Sequence, residues 1–160
     1  MGLTALCPGT FDPVTNGHLD VVRRAAGMFD GVVVGVLENP SKAPLFTVQE
    51  RAALLEESLR DLQNVRVGAF GGLLVDYARS QGADLIVKGL RAVSDYEYEI
   101  QMAQMNQRIG DIETLFLATS PKWSFLSSSL VKEVARHGGD VEGLVPDAVR
   151  KALVDRLGAA

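Results

Sequence analysis

The chain has 160 residues, of which 47% are hydrophobic and 22% are charged, and its net charge is −4. This composition is typical of a globular domain, and we expect a single domain over residues 1–160. The lack of a basic cluster argues against a nucleic-acid partner, and no apolar run approaches the roughly 20 residues of a membrane span. One cysteine, Cys7, and the lack of a signal peptide fit a reducing cytoplasm.

Apolar and alternating runs predict five strands, separated by segments with helical spacing. The strands are expected at 3–7, 31–37, 65–70, 84–87 and 113–117. The helices are expected at about 18–29, 47–61, 73–80, 94–109, 126–137 and 146–157, with Thr47–Glu50 and Ser94 as caps. The alternation predicts an α/β fold, a Rossmann-like doubly wound sheet of about five parallel strands with helices on both faces. Neither G-x-G-x-x-G nor a P-loop is present, so the hypotheses of a dinucleotide-binding site and of a P-loop site lose their main support.

The connection after the first strand is dense in groups that can contact a phosphate. Glycine lets the backbone approach closely, threonine offers hydroxyls, and free N–H groups at a helix start attract anions. These groups are Gly9, Thr10, Thr15, Gly17 and His18. Taken alone, His18 also fits a surface residue of a helix-capping turn.

Cations follow three of the predicted strands: His18 after the first, Lys42 after the second, and Lys88 with Arg91 after the fourth. Carboxyl ends of parallel strands meet at one edge of a sheet, so these groups are expected to converge there. A triphosphate site needs this distribution of charge. Taken alone, Lys42 fits an ordinary solvated loop lysine, whereas Lys88 and Arg91 flank Gly89 directly after a buried strand.

A second segment, Trp123–Lys132, carries three consecutive serines at a helix start. Serines there can cap the helix and can also offer hydroxyl and N–H groups to an anion. The two histidines and the cysteine lie far apart, so no zinc-ligand spacing and no protein metal site is predicted.

The long fourth helix combines acids in its first turns with an apolar stripe. Asp95, Glu97 and Glu99 suit the helix dipole. A stripe of Tyr98, Met102, Met105 and Ile109 indicates either a core face or a subunit contact.

Thr15-Asn16-Gly17-His18 resembles the T/H-x-G-H signature of the nucleotidylyltransferase superfamily, and Leu126–Lys132 resembles its I-S-S-[ST]-x-x-[RK] element. With Pro8–Pro13 and Lys88–Ala92, the chain resembles the bacterial phosphopantetheine adenylyltransferases over nearly its whole length. The resemblance implies transfer of AMP from ATP to 4′-phosphopantetheine, giving dephospho-coenzyme A and pyrophosphate. The attack would be direct and in line, without a covalent enzyme intermediate.

The resemblance also implies roles for individual residues, with a neutral His18 donating to the α-phosphate. The catalytic residues would be Thr10, His18, Lys42 and Arg91. The ATP site would comprise Thr10, Phe11, Gly17, His18, Gly89, Leu90, Arg91, Glu99, Trp123, Ser124, Phe125, Leu126, Ser127, Ser128 and Ser129. The acceptor site would comprise Thr10, Lys42, Leu74, Lys88, Met105 and Asn106. Some relatives carry arginine at position 88, so lysine there keeps the charge and loses the bidentate fork.

From the same resemblance we expect Mg²⁺ bound through the ATP phosphates, coenzyme A as a feedback ligand and a homohexamer. Two alternatives stay open at this point. One is a sister nucleotidyltransferase, acting on nicotinamide mononucleotide or on a polyol phosphate. The other is a non-catalytic nucleotide sensor on the same fold.

Overall fold

Five strands form one sheet in a computed structural model that describes residues 2–39 and 43–158. The strands are β1 (Thr4–Gly9), β2 (Gly31–Leu37), β3 (Val65–Phe70), β4 (Leu85–Leu90) and β5 (Glu113–Ala118). Their order is β3-β2-β1-β4-β5 and all neighbours pair in parallel. The strand order therefore reverses between β1 and β4, which confirms the predicted doubly wound sheet.

The described helices lie on both faces of the sheet. They are α1 (Asn16–Ala26), α2 (Val48–Leu59), α3 (Leu74–Ser80), α4 (Val93–Gly110), α5 (Ser128–Arg136) and α6 (Asp147–Leu157). Buried side chains of α1, α2, α5 and α6 share one core cluster, whereas α3 packs on a second cluster with Leu6, Val33 and Ile86, and α4 contacts α3 and β5. Adjacent residues such as Leu6 and Cys7 point into opposite clusters, which explains why the inner strands are apolar at nearly every position.

Both β1 and β4 extend beyond their predicted ends at residues 7 and 87. Pro8 and Gly9 still pair with β2, and Lys88–Leu90 still pair with β5. Proline, glycine and lysine interrupt the apolar pattern, so the strand ends predicted from the sequence come too early. Between themselves, β1 and β4 pair only at residues 5 and 6 with 85 and 86, so the two strands separate toward their carboxyl ends.

Helix starts next to the sheet edge carry specific caps. In α1, the Thr15 hydroxyl accepts from the His18 N–H, and His18 Nδ1 accepts from the Thr15 N–H. The predicted capping box of Thr47 and Glu50 is present in α2. Both boxes fix how the chain enters a helix from the carboxyl edge of the sheet.

The prediction that Ser94 caps the fourth helix is wrong. The helix begins at Val93, and its N-cap Ala92 makes no side-chain hydrogen bond. Asp95 in the first turn is paired with Arg91, so an ion pair at the helix entrance takes the place of a side-chain cap. Among the described helices, none is long and apolar enough to cross a membrane.

Candidate functional site

A cavity of about 350 Å³ lies where β1 and β4 separate. Its walls are the carboxyl ends of both strands, the first turns of α1 and α5, and the connection between β5 and α5. Gly89 allows α1 to approach β4, because a Cβ atom there would lie 2.8 Å from Val21 Cγ2. Predicted site residues that line the cavity are Phe11, Gly17, His18, Lys88, Gly89, Arg91, Trp123, Leu126, Ser127, Ser128 and Ser129.

Two helix N-termini meet at this cavity. The N–H groups of Gly17 in α1 and of Ser128 and Ser129 in α5 have no hydrogen-bond partner within the described chain. Unpaired N–H groups and the positive end of each helix dipole favour an anion. The cavity therefore offers two convergent binding points for phosphate groups.

The ring of His18 is fixed in one tautomer by its own helix cap. Nδ1 accepts a hydrogen bond of 3.0 Å from the Thr15 N–H, so the proton of the neutral ring lies on Nε2. The Phe11 ring contacts the imidazole edge to face, with centroids 5.1 Å apart. Removal from water and the charge of Arg91 lower the pKa of His18 to about 4. At neutral pH, His18 is thus an uncharged Nε2–H donor in the cavity wall.

The lowered pKa of His18 predicts a specific loss of stability in mild acid. Between pH 6.5 and about 4 the unfolded chain binds a proton at this histidine that the folded chain does not, so stability falls as the pH falls through this window. Above pH 6.5 this histidine is neutral in both the folded and the unfolded chain, and its titration no longer lowers the stability. Between pH 7.5 and 4.5, the urea midpoint of the wild type should therefore fall more steeply with falling pH than that of His18→Gln. Equal slopes would contradict a pKa near 4.

Lys88 and Arg91 line the cavity with acidic partners on α4 behind them. Lys88 Nζ lies 2.7 Å from a Glu99 carboxylate oxygen, and Arg91 Nε lies 3.2 Å from Asp95. Arg91 also donates to the Leu126 carbonyl at 2.9 Å, which ties the end of β4 to the segment before α5. An anion in the cavity would compete with these carboxylates for both cations.

Two of the three consecutive serines use their hydroxyl groups for different purposes. The Ser127 hydroxyl accepts from the Leu130 N–H and is the N-cap of α5. The Ser128 hydroxyl donates to the Pro13 carbonyl at 2.7 Å, so its proton is committed to the α1 side of the cavity. What Ser128 offers an anion is its backbone N–H, which the sequence pattern could not distinguish from its hydroxyl.

Several predicted site residues do not line this cavity. Leu74, Met105 and Asn106 lie on α3 and α4, on the other side of the sheet from α1 and α5; Asn106 is buried and Met105 is exposed. Glu99 is paired with Lys88, which lines the cavity, and does not line the cavity itself. Lys42 falls outside the described residues, so the structure has no bearing on it. The remaining predicted residues that are not in the cavity wall are Thr10, Leu90, Ser124 and Phe125.

Three charged residues beside the site, Asp12, Arg51 and Lys132, have no site role predicted from the sequence. Asp12 is buried and accepts hydrogen bonds from the N–H groups of Leu45 and Phe46 and from Lys132 Nζ. Arg51 is buried and donates to backbone carbonyls. The available signal was Asp12 inside the motif block and Lys132 at its basic position, whereas nothing local marks Arg51.

Two further residues line the cavity. The Thr119 hydroxyl donates to the Leu90 carbonyl at 2.9 Å and holds the end of β4 against β5. Burial raises the pKa of the Cys7 thiol to about 12, so this thiol stays protonated and takes no part as a nucleophile. Over the described ranges, no group of three or more His, Cys, Asp or Glu side chains could hold a metal ion.

This combination of a doubly wound sheet, an anion cavity at its reversal point and a T-x-G-H helix start defines a nucleotide-handling protein. The model of the cytidylyltransferase-like family matches residues 6–134, and the chain therefore belongs to that family. A phosphopantetheine adenylyltransferase from Frankia casuarinae is 60% identical over 157 residues, which cover 96% of this chain and 97% of that protein. One from Frankia alni is 58% identical over 156 residues, covering 95% and 96%. The resemblance predicted from the motifs is thereby confirmed.

Solved structures show the same fold at low identity. A candidate nicotinate-nucleotide adenylyltransferase from Vibrio parahaemolyticus superposes with a TM-score of 0.69 at 16% identity, covering 96% of this chain and 99% of that one. The lipopolysaccharide core biosynthesis protein from Thermoplasma volcanium GSS1 gives a TM-score of 0.54 at 23% identity, covering 75% and 98%. Identities this low support the fold alone.

Proposed function

We propose that the chain transfers the adenylyl group of ATP to 4′-phosphopantetheine, releasing pyrophosphate and forming dephospho-coenzyme A. The observation that carries the proposal is the cavity at the β1–β4 separation, where two helix N-termini, two cations and a neutral imidazole donor meet. The names of the two Frankia relatives support the choice of acceptor.

The chemistry would need no protein nucleophile. A phosphate oxygen of the acceptor attacks the α-phosphorus of ATP, and the bond from this phosphorus to the bridging oxygen breaks as pyrophosphate leaves. The Nε2–H of His18 would donate to the α-phosphate, whose charge grows in the transition state. Arg91 and the N–H groups at the start of α5 would hold the β- and γ-phosphates.

The acceptor phosphate must approach another anion, so it needs cations of its own. Thr10, Lys42 and Lys88 would hold it, and Lys88 already lies in the cavity wall beside its carboxylate partner. Leu74, Met105 and Asn106 would bind the pantetheine arm on the α3–α4 side of the sheet. These assignments rest on the motif resemblance.

Mg²⁺ would arrive with ATP, neutralising part of the phosphate charge. The polar groups of the cavity wall are hydroxyls, cations and N–H donors, and they suit a magnesium–nucleotide complex better than a bare metal ion. The chain's own residues would position the phosphates of that complex.

The chain would work in the cytoplasm as a homo-oligomer, a hexamer by resemblance, with coenzyme A as a feedback ligand. The exposed apolar stripe of α4 supports a subunit contact, since Tyr98, Met105 and Ile109 are all about half exposed or more. A molar mass of the monomer in sedimentation equilibrium would contradict the proposed homo-oligomer.

Pyrophosphate release tests the proposed reaction. The chain is mixed with ATP and Mg²⁺ and with one acceptor at a time: 4′-phosphopantetheine, nicotinamide mononucleotide or glycerol 3-phosphate. We expect release with 4′-phosphopantetheine only. Release with another acceptor would keep the reaction class and change the substrate, and ATP binding without any release would favour a nucleotide sensor.

A further inference from the structure

Beyond the residues that contact substrate, one buried cation organises the site. We infer that Arg51 of α2 is a positioning residue for the acceptor-phosphate half of the site and, through Phe11, for His18. It acts through backbone carbonyls and touches no substrate. The inference rests on the proposed function, because the effects it predicts are on turnover of 4′-phosphopantetheine.

Arg51 bonds to three separate segments at the carboxyl edge of the sheet. Its Nη1 donates to the Thr10 carbonyl at 2.7 Å and to the Leu37 carbonyl at 3.0 Å, and its Nε donates to the Phe46 carbonyl at 3.1 Å. These carbonyls belong to the loop after β1, the last residue of β2 and the residue before the α2 cap. A planar guanidinium holds such donors in a fixed fork, so the three segments are held in one geometry.

The Phe46 end of this arrangement is fixed from three directions. Asp12 accepts from the N–H groups of Leu45 and Phe46, both at 2.9 Å. Arg156 of α6 donates to the Leu45 carbonyl at 2.6 Å and lies over the Phe46 ring. With Arg51 on the Phe46 carbonyl, all four backbone polar groups of this dipeptide are bound by charged side chains.

The Thr10 end leads directly to the imidazole donor. The next residue, Phe11, has a φ of 50°, a conformation that a bulky side chain keeps only when its surroundings enforce it. The ring of Phe11 is buried and contacts the ring of His18. Loosening the Thr10 carbonyl therefore loosens the residue that packs against His18.

The guanidinium of Arg51 is bound by backbone carbonyls and by no acid among the described residues. Within residues 2–39 and 43–158, no carboxylate lies within ion-pair distance of its guanidinium. The carbonyl dipoles of Thr10, Leu37 and Phe46 solvate this buried charge. Its hydrogen bonds within the described residues go to the β1 and β2 half of the site and not to β4 or α5, which carry Arg91 and the serines. Loss of Arg51 should therefore act on the acceptor and on His18 more than on ATP affinity.

The test compares Arg51→Gln and Arg51→Lys with Leu59→Ala, a truncation of a buried residue on the same helix. Three quantities are measured: KM for 4′-phosphopantetheine, kcat, and the Kd for ATP from the fluorescence of Trp123, the single tryptophan. We expect Arg51→Gln to raise this KM and to lower kcat by about tenfold or more each, with the Kd for ATP within about twofold. Arg51→Lys should show smaller changes in the same direction, because it keeps the charge and loses the fork. Leu59→Ala should lower the urea midpoint and leave KM near the wild-type value.

Arg156→Gln provides a second route, because Arg156 is partly exposed and its loss leaves no buried cavity. It should raise KM for 4′-phosphopantetheine less than Arg51→Gln does. Should Arg51→Gln fail to fold, Arg51→Lys and Arg156→Gln decide the outcome. Parallel changes in KM and in the Kd for ATP, or Arg51 variants that behave like Leu59→Ala, would overturn the inference. A wild-type chain that releases no pyrophosphate with 4′-phosphopantetheine would overturn the proposed function itself, and this inference with it.

Discussion

Replacing His18 by alanine is expected to lower kcat by about a hundredfold to a thousandfold while the Kd for ATP changes by less than about tenfold. The reason is that an uncharged donor gains most where charge develops, at the α-phosphate of the transition state. We expect ground-state binding of ATP to rely instead on the cations and helix N-termini of the cavity wall. Pyrophosphate release gives kcat, and the fluorescence of Trp123 gives the Kd.

Two controls separate the proposed catalytic role of His18 from its structural one. Glutamine is a natural residue at the third position of a capping box, so His18→Gln keeps a partner for the Thr15 N–H and should keep its stability. Its turnover should still fall, because the imidazole Nε2–H is gone. His137→Ala removes the other histidine, which is exposed at the end of α5, and should leave turnover unchanged. If ATP affinity and kcat fell by the same factor in His18→Ala, the histidine would be a ground-state ligand instead.

The sequence predicted the order and type of every element, but not where the inner strands end. Apolar runs such as residues 31–37 are unambiguous because both sheet faces bury them. Residues 8–9 and 88–90 join their strands only because neighbouring strands supply a hydrogen-bonding ladder. That ladder depends on chain segments distant in sequence, and no local pattern encodes it.

Site residues that stand in local motifs could be predicted from the sequence, whereas residues that act through distant backbone groups could not. Gly17, His18 and Arg91 stand in motifs whose spacing is local, and all three line the cavity. Arg51 and Asp12 bind backbone groups 41 and 33 residues away, and a backbone carbonyl or N–H has no sequence signature. The apolar stripe of α4 shows the complementary limit, because periodicity identifies an apolar face but not what covers it.

Substituting Asp12 by asparagine is expected to lower the free energy of unfolding by about 3–5 kcal/mol, the range for breaking a buried ion pair from one side. Asp12 is 4% exposed and accepts from two backbone N–H groups and from Lys132 Nζ at 3.0 Å. Asparagine has the same size, but its side-chain NH₂ group cannot accept a hydrogen bond and would face one of these three donors. Lys132 would also lose its counter-charge. Urea unfolding at pH 7, followed by circular dichroism, measures the loss.

The same substitution should lose its effect in acid. Burial acts to raise the pKa of Asp12, but the hydrogen bonds from Leu45, Phe46 and Lys132 outweigh burial and lower the pKa below 3.8. A lowered carboxyl pKa stabilises the folded chain above the unfolded value, and this stabilisation is lost as the pH falls through the folded value. The difference between wild type and Asp12→Asn should therefore be constant from pH 5 to 8 and shrink below about pH 4.

Lys132→Met, alone and combined with Asp12→Asn, measures how much of the lost stability comes from the unpaired charge of Lys132. The double variant should be less destabilised than the sum of the single ones, because it buries no unpaired ion. Asp61→Asn removes an exposed partner of Arg23 and should leave stability close to wild type. If Asp12→Asn were as mild as Asp61→Asn, the contacts of Asp12 would not hold the loops together. The positioning of Thr10, Phe11 and His18 would then depend on Arg51 and the α1 cap alone.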